Sequence, residues 1–332
     1  MNRIFSGMQP TGNLHLGNYL GALKNWVALQ DTAECYFCVV DLHAITIPQP
    51  PEKLRASVRE TAAAYIAAGI DTKKSALLVQ SAVPAHSELM WILASLTPLG
   101  WLNRMTQFKD KAKNSDLELM GLYAYPVLMA ADILVYKATH VPVGDDQKQH
   151  VELARDIAGA FNRAFNVDYF TLPEPQIMGE SARIMSLRDG TKKMSKSEES
   201  DYSRINLTDD ADMIATKIKK AKTDTDPLPD NLIDLAKRPE ADNLVTIYAS
   251  LTDRARADVL REFTGAQWGK FKPALIEVAV QKLAPITQKM RDLLKDPVEI
   301  DRVLIRGAEH ANALTQKHLR EIKEIVGLWS LM

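Results

Sequence analysis

The chain has 332 residues, a formal net charge of −1 and two cysteines. This length supports a large core and more than one domain, while the near-zero charge excludes a global field that would draw the chain to nucleic acid or membrane, so RNA contacts must come from local patches. Two cysteines exclude a disulfide framework and point to a reducing cytoplasm, and the first residues lack the apolar run of a secretory signal.

Ile4 and Phe5 form an apolar strand that runs into a loop with Gly7, Pro10, Thr11 and Gly12. Leu20, Leu23, Trp26 and Val27 then recur with helical spacing. Strand, Gly-rich turn and helix start offer backbone N–H groups and a positive dipole end to a phosphate. Gly12 and Gly17 have the spacing of a P-loop, but Asn18 stands where that loop requires Lys. Gly-x-Gly-x-x-Gly is absent here.

Glu34 to Val40 is a β-rich run. It holds Cys35 and Cys38, which a strand would point to opposite faces, so core packing is favoured over a shared metal. Pro50-Pro51 starts a helix through Leu54 and Tyr65, with Gly69 as its C-cap. Ala76 to Gln80 reads as a strand buried on both faces. This rhythm predicts a parallel α/β sheet, whose ligands sit beyond the carboxyl ends of the strands. Gly7, His43 and Gln80 fall at such ends.

From Ser87 to Tyr136 the pattern is mainly helical, as for an insertion between two halves of the sheet. Its most apolar part, Met120 to Tyr136, carries Pro126 and Asp132 and reads as a buried helix rather than a bilayer span. Val141-Pro142-Val143-Gly144 breaks the helical pattern, and Gln149 to Phe165 resumes it. Arg183 to Leu187 reads as a late strand. Beyond the charged loop Asp189 to Asp201 the β signals fade. Thr208 is expected to cap a helix through Met213, Ile214 and Ile218. The helical pattern then continues, broken near Pro227 to Pro229. Leu314, His318, Ile322 and Ile325 share one face of the last helix.

Thr191-Lys192-Lys193-Met194-Ser195-Lys196-Ser197 alternates small residues and lysines in a loop that can close over a polyphosphate. By composition alone it equally describes a solvated basic loop. Tyr125, Met129 and Asp132 are spaced i, i+4, i+7, which puts them on one helix face. A carboxylate in such an apolar run needs a partner, whether inside the protein or on a ligand. Lys217 to Lys222 is a basic run that fits an RNA contact or, more simply, a solvated helix face.

His15-Leu16-Gly17-Asn18 resembles the first signature of class I aminoacyl-tRNA synthetases. Lys193-Met194-Ser195-Lys196-Ser197 resembles the second, in the same chain order. Phe-Ser-Gly-Met-Gln-Pro-Thr-Gly from Phe5, Asp-Leu-His-Ala-Ile-Thr from Asp41, Arg-Met-Thr-Gln-Phe-Lys from Arg104, Tyr-Pro-Val-Leu-Met-Ala-Ala-Asp-Ile-Leu from Tyr125 and Val-Pro-Val-Gly-Asp-Asp-Gln-Lys-Gln-His from Val141 extend the likeness. Together they resemble the bacterial tryptophanyl-tRNA synthetase family, densely from residue 4 to about residue 223. Leu42 and Asp145 stand where that family usually has Gln and Glu.

The resemblance implies an α/β fold, with a Rossmann-like parallel-sheet nucleotide-binding domain over residues 1–200 and a helical insertion at about 87–170. It implies an α-helical anticodon-binding domain over residues 201–332, its last helix packing back on the first domain. The implied reaction activates L-tryptophan with ATP, releases pyrophosphate and charges tRNA(Trp), with Mg²⁺ carried on the ATP phosphates rather than in a protein cage. A symmetric homodimer is implied, and neither DNA nor membrane is an expected partner. The implied tryptophan contacts are Phe5, Gly7, His43, Tyr125, Met129, Asp132, Val141, Val143 and Gln147. Indole N–H only donates, so a recognising site must supply an acceptor, and Asp132 fits that role. Gln9, Pro10, Thr11, Gly17, Asn18, Gly144, Asp145, Asp146, Ile184 and Met194 match ATP-side positions. His15, Asn18, Lys111, Lys193 and Lys196 match catalytic ones, with Ser195 and Ser197 in the same loop. The alternatives are a tyrosyl-tRNA synthetase, a non-catalytic regulatory paralogue and a small adenylyltransferase. Met129 with Ala130-Ala131-Asp132, intact Lys193 and Lys196, and the long helical C-terminal half weigh against them in turn.

Overall fold

The computed structural model describes residues 2–105, 119–144, 147–177 and 183–329. Among them, β1 (Arg3–Met8), β2 (Glu34–Val39), β3 (Ala76–Val79), β4 (His140–Val143) and β5 (Glu174–Ile177) form one sheet in the order β3-β2-β1-β4-β5. All its pairings are parallel, with β1 and β2 in register from Arg3↔Glu34 to Met8↔Val39. The strand order reverses at β1, so a crevice opens beyond the C-terminal ends of β1 and β4, where sheets of this kind take ligands.

Alternating residues point to opposite faces of a strand. Ile4, Phe37, Val39 and Leu77 therefore enter one core, and Phe5, Tyr36, Cys38 and Leu78 the other. Cys35 belongs to the first core and Cys38 to the second, and both are free thiols.

Helices cover both faces. α1 (residues 16–29) passes through a π-helical turn at Tyr19–Leu23. α2 (Pro51–Ala68) begins with proline and ends at Gly69, whose φ of 118° suits a residue without a Cβ. α3 (Ala85–Ala94), α4 (Met120–Leu134) and α5 (Lys148–Ala164) pack in series on the second core. Beyond the second signature the described regular structure is helical: α6 (Ala211–Lys219), α7 (Leu232–Ala236), α8 (Pro239–Thr252), α9 (Arg256–Phe263), α10 (Trp268–Lys295) and α11 (Pro297–Val326). No helix among the described residues is long and apolar enough to cross a membrane.

The last helix returns to the sheet and covers its edge strand β3. A Cβ at Gly307 would lie 1.9 Å from the Leu77 carbonyl oxygen, so only glycine allows this approach. His318 Nδ1 donates to the Val135 carbonyl at 2.7 Å, fixing the far end of the same helix. An edge covered in this way is closed to pairing with another chain.

Some local expectations change. Val141-Pro142-Val143 is part of strand β4, not a break, so the stretch at about 87–170 contains sheet as well as helix. The late strand expected at Arg183 to Leu187 is an isolated antiparallel bridge, Met185↔Lys193, and β5 lies earlier in the chain. β4 and β5 are four residues long and each holds a proline, Pro142 or Pro175. Alternation has no room to show in so short a run, and proline there reads as a breaker. At α6 the cap is Asp210 rather than Thr208. Asp210 has the extended backbone of an N-cap, and its carboxylate accepts from the Met213 N–H at 2.9 Å.

Candidate active site

The crevice is a cleft of about 670 Å³. Its floor is built by a close approach of strand ends. A Cβ at Gly7 would lie 2.7 Å from the Cys38 carbonyl oxygen, which requires glycine there. The buried Tyr65 hydroxyl accepts from Met8 N–H at 2.9 Å and donates to the Cys38 carbonyl at 3.2 Å, joining the ends of β1 and β2.

Phe5, Gly7, Val141, Val143 and Gly144 line the cleft from the ends of β1 and β4. Tyr125, Met129 and Asp132 line it from one face of α4, as their spacing predicts. His43 and Gln147 reach it from neighbouring turns. The loop after β1 contributes Gln9, the first signature His15, Gly17 and Asn18, and the second Lys193 and Met194, with Ile184 beside them. Pro10, Thr11, Ser195, Lys196 and Ser197 are not on the wall. Lys196 Nζ instead donates to the Gly12 carbonyl at 2.8 Å, and the Ser195 and Ser197 hydroxyls bond each other at 2.8 Å. Lys111, Asp145 and Asp146 lie outside the described residues.

Asp132 is 1% exposed. Its Oδ1 accepts from His86 Nδ1 at 2.6 Å and its Oδ2 from His43 Nε2 at 2.8 Å, while Gln80 Nε2 donates to both, at 2.8 and 2.9 Å. Burial alone pushes this carboxyl up. The hydrogen bonds and charge of His43 and His86 together outweigh burial and hold it well below the usual carboxylate range. The sequence reading missed Gln80 and His86 as partners of Asp132. The signal available was two polar residues placed just beyond a wholly apolar strand.

The first signature is held against the segment that follows the second. Leu16 N–H donates to the Ile205 carbonyl and Leu207 N–H to the Leu14 carbonyl, both at 2.8 Å, which pairs His15 with Asn206. Asn18 Oδ1 accepts from His15 N–H at 3.1 Å and closes the first turn of α1. The buried His15 ring has its pKa lowered to about 4, first by burial and then by the charges of Lys196, Arg204 and Lys193. It is therefore neutral at physiological pH. Burial lowers the pKa of Lys196 to about 8, against the opposing pull of Glu60.

Asn243, on α8, clamps the chain before the second signature. Its Oδ1 accepts from Met185 N–H and its Nδ2 donates to the Met185 carbonyl, both at 2.9 Å. Lys217 is fully buried, not a solvated helix face. Its ammonium donates to Asp201 Oδ2 and Asp209 Oδ2, each at 2.7 Å. The two carboxylates are distant from Lys217 in sequence, so helical charge spacing could not show this burial. Asp209 Oδ2 also accepts from Asn206 N–H at 2.8 Å, so the ion pair supports the segment that holds His15. Among the described residues no three His, Cys, Asp or Glu side chains are grouped to hold a metal ion.

A parallel sheet with a cleft at its switch point, and two signatures meeting across that cleft, is the arrangement of a class I tRNA synthetase. A family model described as tRNA synthetases class I (W and Y) matches residues 1–284, and the chain belongs to this family. Its similarity within the family runs to the tryptophan members. It is 56% identical to the tryptophan–tRNA ligase of Agrobacterium fabrum (strain C58 / ATCC 33970), over 98% of this chain and 97% of that protein. It is 51% identical to the one of Nostoc sp. (strain PCC 7120 / SAG 25.82 / UTEX 2576), over 98% and 97%. Among solved structures, tryptophanyl-tRNA synthetase from Mycoplasma pneumoniae superposes with a TM-score of 0.89 at 32% identity, covering 99% of both chains. The Campylobacter jejuni enzyme complexed with ADP and tryptophan gives 0.84 at 35%, covering 98% of this chain and 100% of that one. Tyrosyl-tRNA synthetase from Aeropyrum pernix, at 20% identity and a TM-score of 0.66, shares the fold.

Replacing Lys217 with Met leaves the Asp209 carboxylate buried without its cation. The expected loss of unfolding free energy in urea is about 3–5 kcal/mol. A loss under about 1 kcal/mol, the range of exposed pairs, would contradict the supporting role given to this ion pair.

Proposed function

We infer that the chain is a tryptophan–tRNA ligase, which activates L-tryptophan with ATP to tryptophanyl-adenylate, releases pyrophosphate and transfers the aminoacyl group to tRNA(Trp). The observation that carries this reading is a buried, ionised Asp132 facing an apolar and aromatic cleft beside the two signatures. An indole offers one N–H donor on a flat apolar body, and a carboxylate among Phe5, Met129, Val141 and Val143 meets that need. A site built around such a bond rejects analogues without the donor by several orders of magnitude, so a separate editing site is not required.

ATP occupies the first-signature end of the cleft. The start of α1 at Gly17 and Asn18 presents N–H groups to phosphate, and Gly17 is open to the nucleotide, with Gln9, Pro10 and Thr11 alongside. Ile184 and Met194 contact adenine, and Gly144, Asp145 and Asp146 the ribose. Lys111, Lys193 and Lys196, with Ser195 and Ser197, draw off the pyrophosphate. Adenylation then needs positioning and charge stabilisation rather than a protein nucleophile. Neutral His15 donates or accepts a hydrogen bond there without adding repulsion to the lysines. Magnesium arrives on the ATP phosphates as part of the substrate. The contact of Lys196 with Gly12 is the resting position of a loop that re-forms on the phosphates when ATP binds.

Residues 201–332 form the helical region that reads the tRNA anticodon. The working unit is a homodimer in the cytoplasm. Trp91 on α3 and Met120 on α4, two helices that pack together, are exposed apolar side chains that a second copy would cover.

In amino-acid-dependent ATP–pyrophosphate exchange, tryptophan is expected to exceed all other amino acids, and Asp132→Ala to lose its selectivity for tryptophan by about 100-fold or more. Exchange driven better by tyrosine, or unaltered selectivity in Asp132→Ala, would overturn the reading. Lys196 carries its charge below its pKa of about 8 and loses it above. Accordingly kcat/KM for ATP is expected to fall as pH rises through that value, and Lys196→Arg, which keeps its charge, should lack that limb. An identical limb in Lys196→Arg would contradict the role given to Lys196.

A further inference from the structure

The two oxygens of Asp132 face different surroundings. Oδ2 meets His43, which itself lines the cleft. Oδ1 meets His86, which is completely buried at the start of α3 and is not part of the cleft wall. Gln80, also completely buried, bridges both oxygens from the end of β3. One oxygen is thus tied to the interior, and the other lies at the edge where a substrate arrives.

The orientation of the His86 ring is determined from behind. Its Nε2 lies 3.0 Å from the Tyr136 hydroxyl. Burial pushes that phenol well above its ordinary pKa, so it keeps its proton and stays hydrogen-bonded to the ring. An ionised carboxylate only accepts, so the ring nitrogen facing it, Nδ1, carries the proton that points at Asp132. Phe5, on the cleft wall, stacks on Tyr136 at 5.1 Å and contacts His86 at 6.0 Å between ring centroids, so the same two side chains also back the apolar surface.

Resting on the reading of Asp132 as the indole acceptor, we propose that His86, held by Tyr136, is a positioning residue for tryptophan specificity: it anchors Asp132 Oδ1 so that Oδ2 stays turned to the cleft for the substrate's indole N–H. His43 is the exchangeable partner. It occupies Oδ2 in the resting protein, and the incoming N–H shares or takes that position. His86 and Gln80 stay bonded throughout. Without His86, the carboxylate can rotate or take up a proton, and its preference for a donor is lost although every residue on the cleft wall is intact.

The test compares tryptophan with its benzothiophene analogue, in which sulfur replaces the indole N–H, in ATP–pyrophosphate exchange by the full-length protein. His86→Leu removes the donor to Oδ1. Its preference for tryptophan over the analogue is expected to fall about tenfold or more, through a raised KM for tryptophan with KM for ATP unchanged. His86→Asn, whose amide can donate from the Nδ1 position, should recover most of the preference, and Tyr136→Phe should lose part of it. A folded His86→Leu protein that keeps the parental preference overturns the proposal. If that variant does not fold, parental preference in Tyr136→Phe overturns it instead, and a lowered one supports it. Asp132→Ala in the same assay separates the two levels. If it keeps the preference, the indole reading fails and the proposal with it. If it loses the preference while His86→Leu keeps it, only the role of His86 fails.

Discussion

Asp132 is an ionised carboxylate with almost no contact with water, and an ion in that position costs several kcal/mol unless donors replace its hydration. The donors come from three separate places: His43 after β2, Gln80 after β3 and His86 at the start of α3. The carboxylate itself comes from α4. Satisfying one charge therefore constrains where β2, β3, α3 and α4 end relative to one another. The parallel sheet supplies that constraint, because parallel strands bring their C-terminal ends to one edge. The Asp132 end of the cleft is in this sense built around the neutralisation of a single side chain.

The end of the cleft that holds the two signatures is organised by pairing between distant parts of the chain. His15 sits in a bridge to Asn206, and the segment of Asn206 rests on the buried Lys217 ion pair. Asn243 on α8 holds Met185, and Met185 bridges Lys193 in the second signature. The helical C-terminal region thus takes part in shaping the signature end of the cleft. The return of α11 onto β3 ties the same region to the sheet on the opposite side.

What was legible in the sequence was what local spacing can encode. Continuous apolar runs marked β1, β2 and β3, and the spacing of Tyr125, Met129 and Asp132 put them on one face of α4. The two signatures marked the other end of the cleft by chemistry rather than by periodicity. β4 and β5 stayed hidden because four residues with a proline carry no periodic signal. Lys217 was misread because an internal lysine and an external one look alike until Asp201 and Asp209 are brought near it. Asp132 was read as a carboxylate in an apolar run that needs a partner, with the partner left open between protein and ligand. Its polar partners lie after β2, after β3 and at the start of α3, and only tertiary structure brings Gln80 and His86 to it.

The most direct measurement follows the proton proposed to decide selectivity. Tryptophan labelled with nitrogen-15 at the indole position can be bound to the protein and its N–H proton observed by NMR. A bond to the Asp132 carboxylate is expected to move that proton well downfield of its value in free tryptophan, and Asp132→Ala to bring it back. A proton that stays at its free value in the parent protein, or a downfield shift that survives Asp132→Ala, would contradict the reading of this cleft.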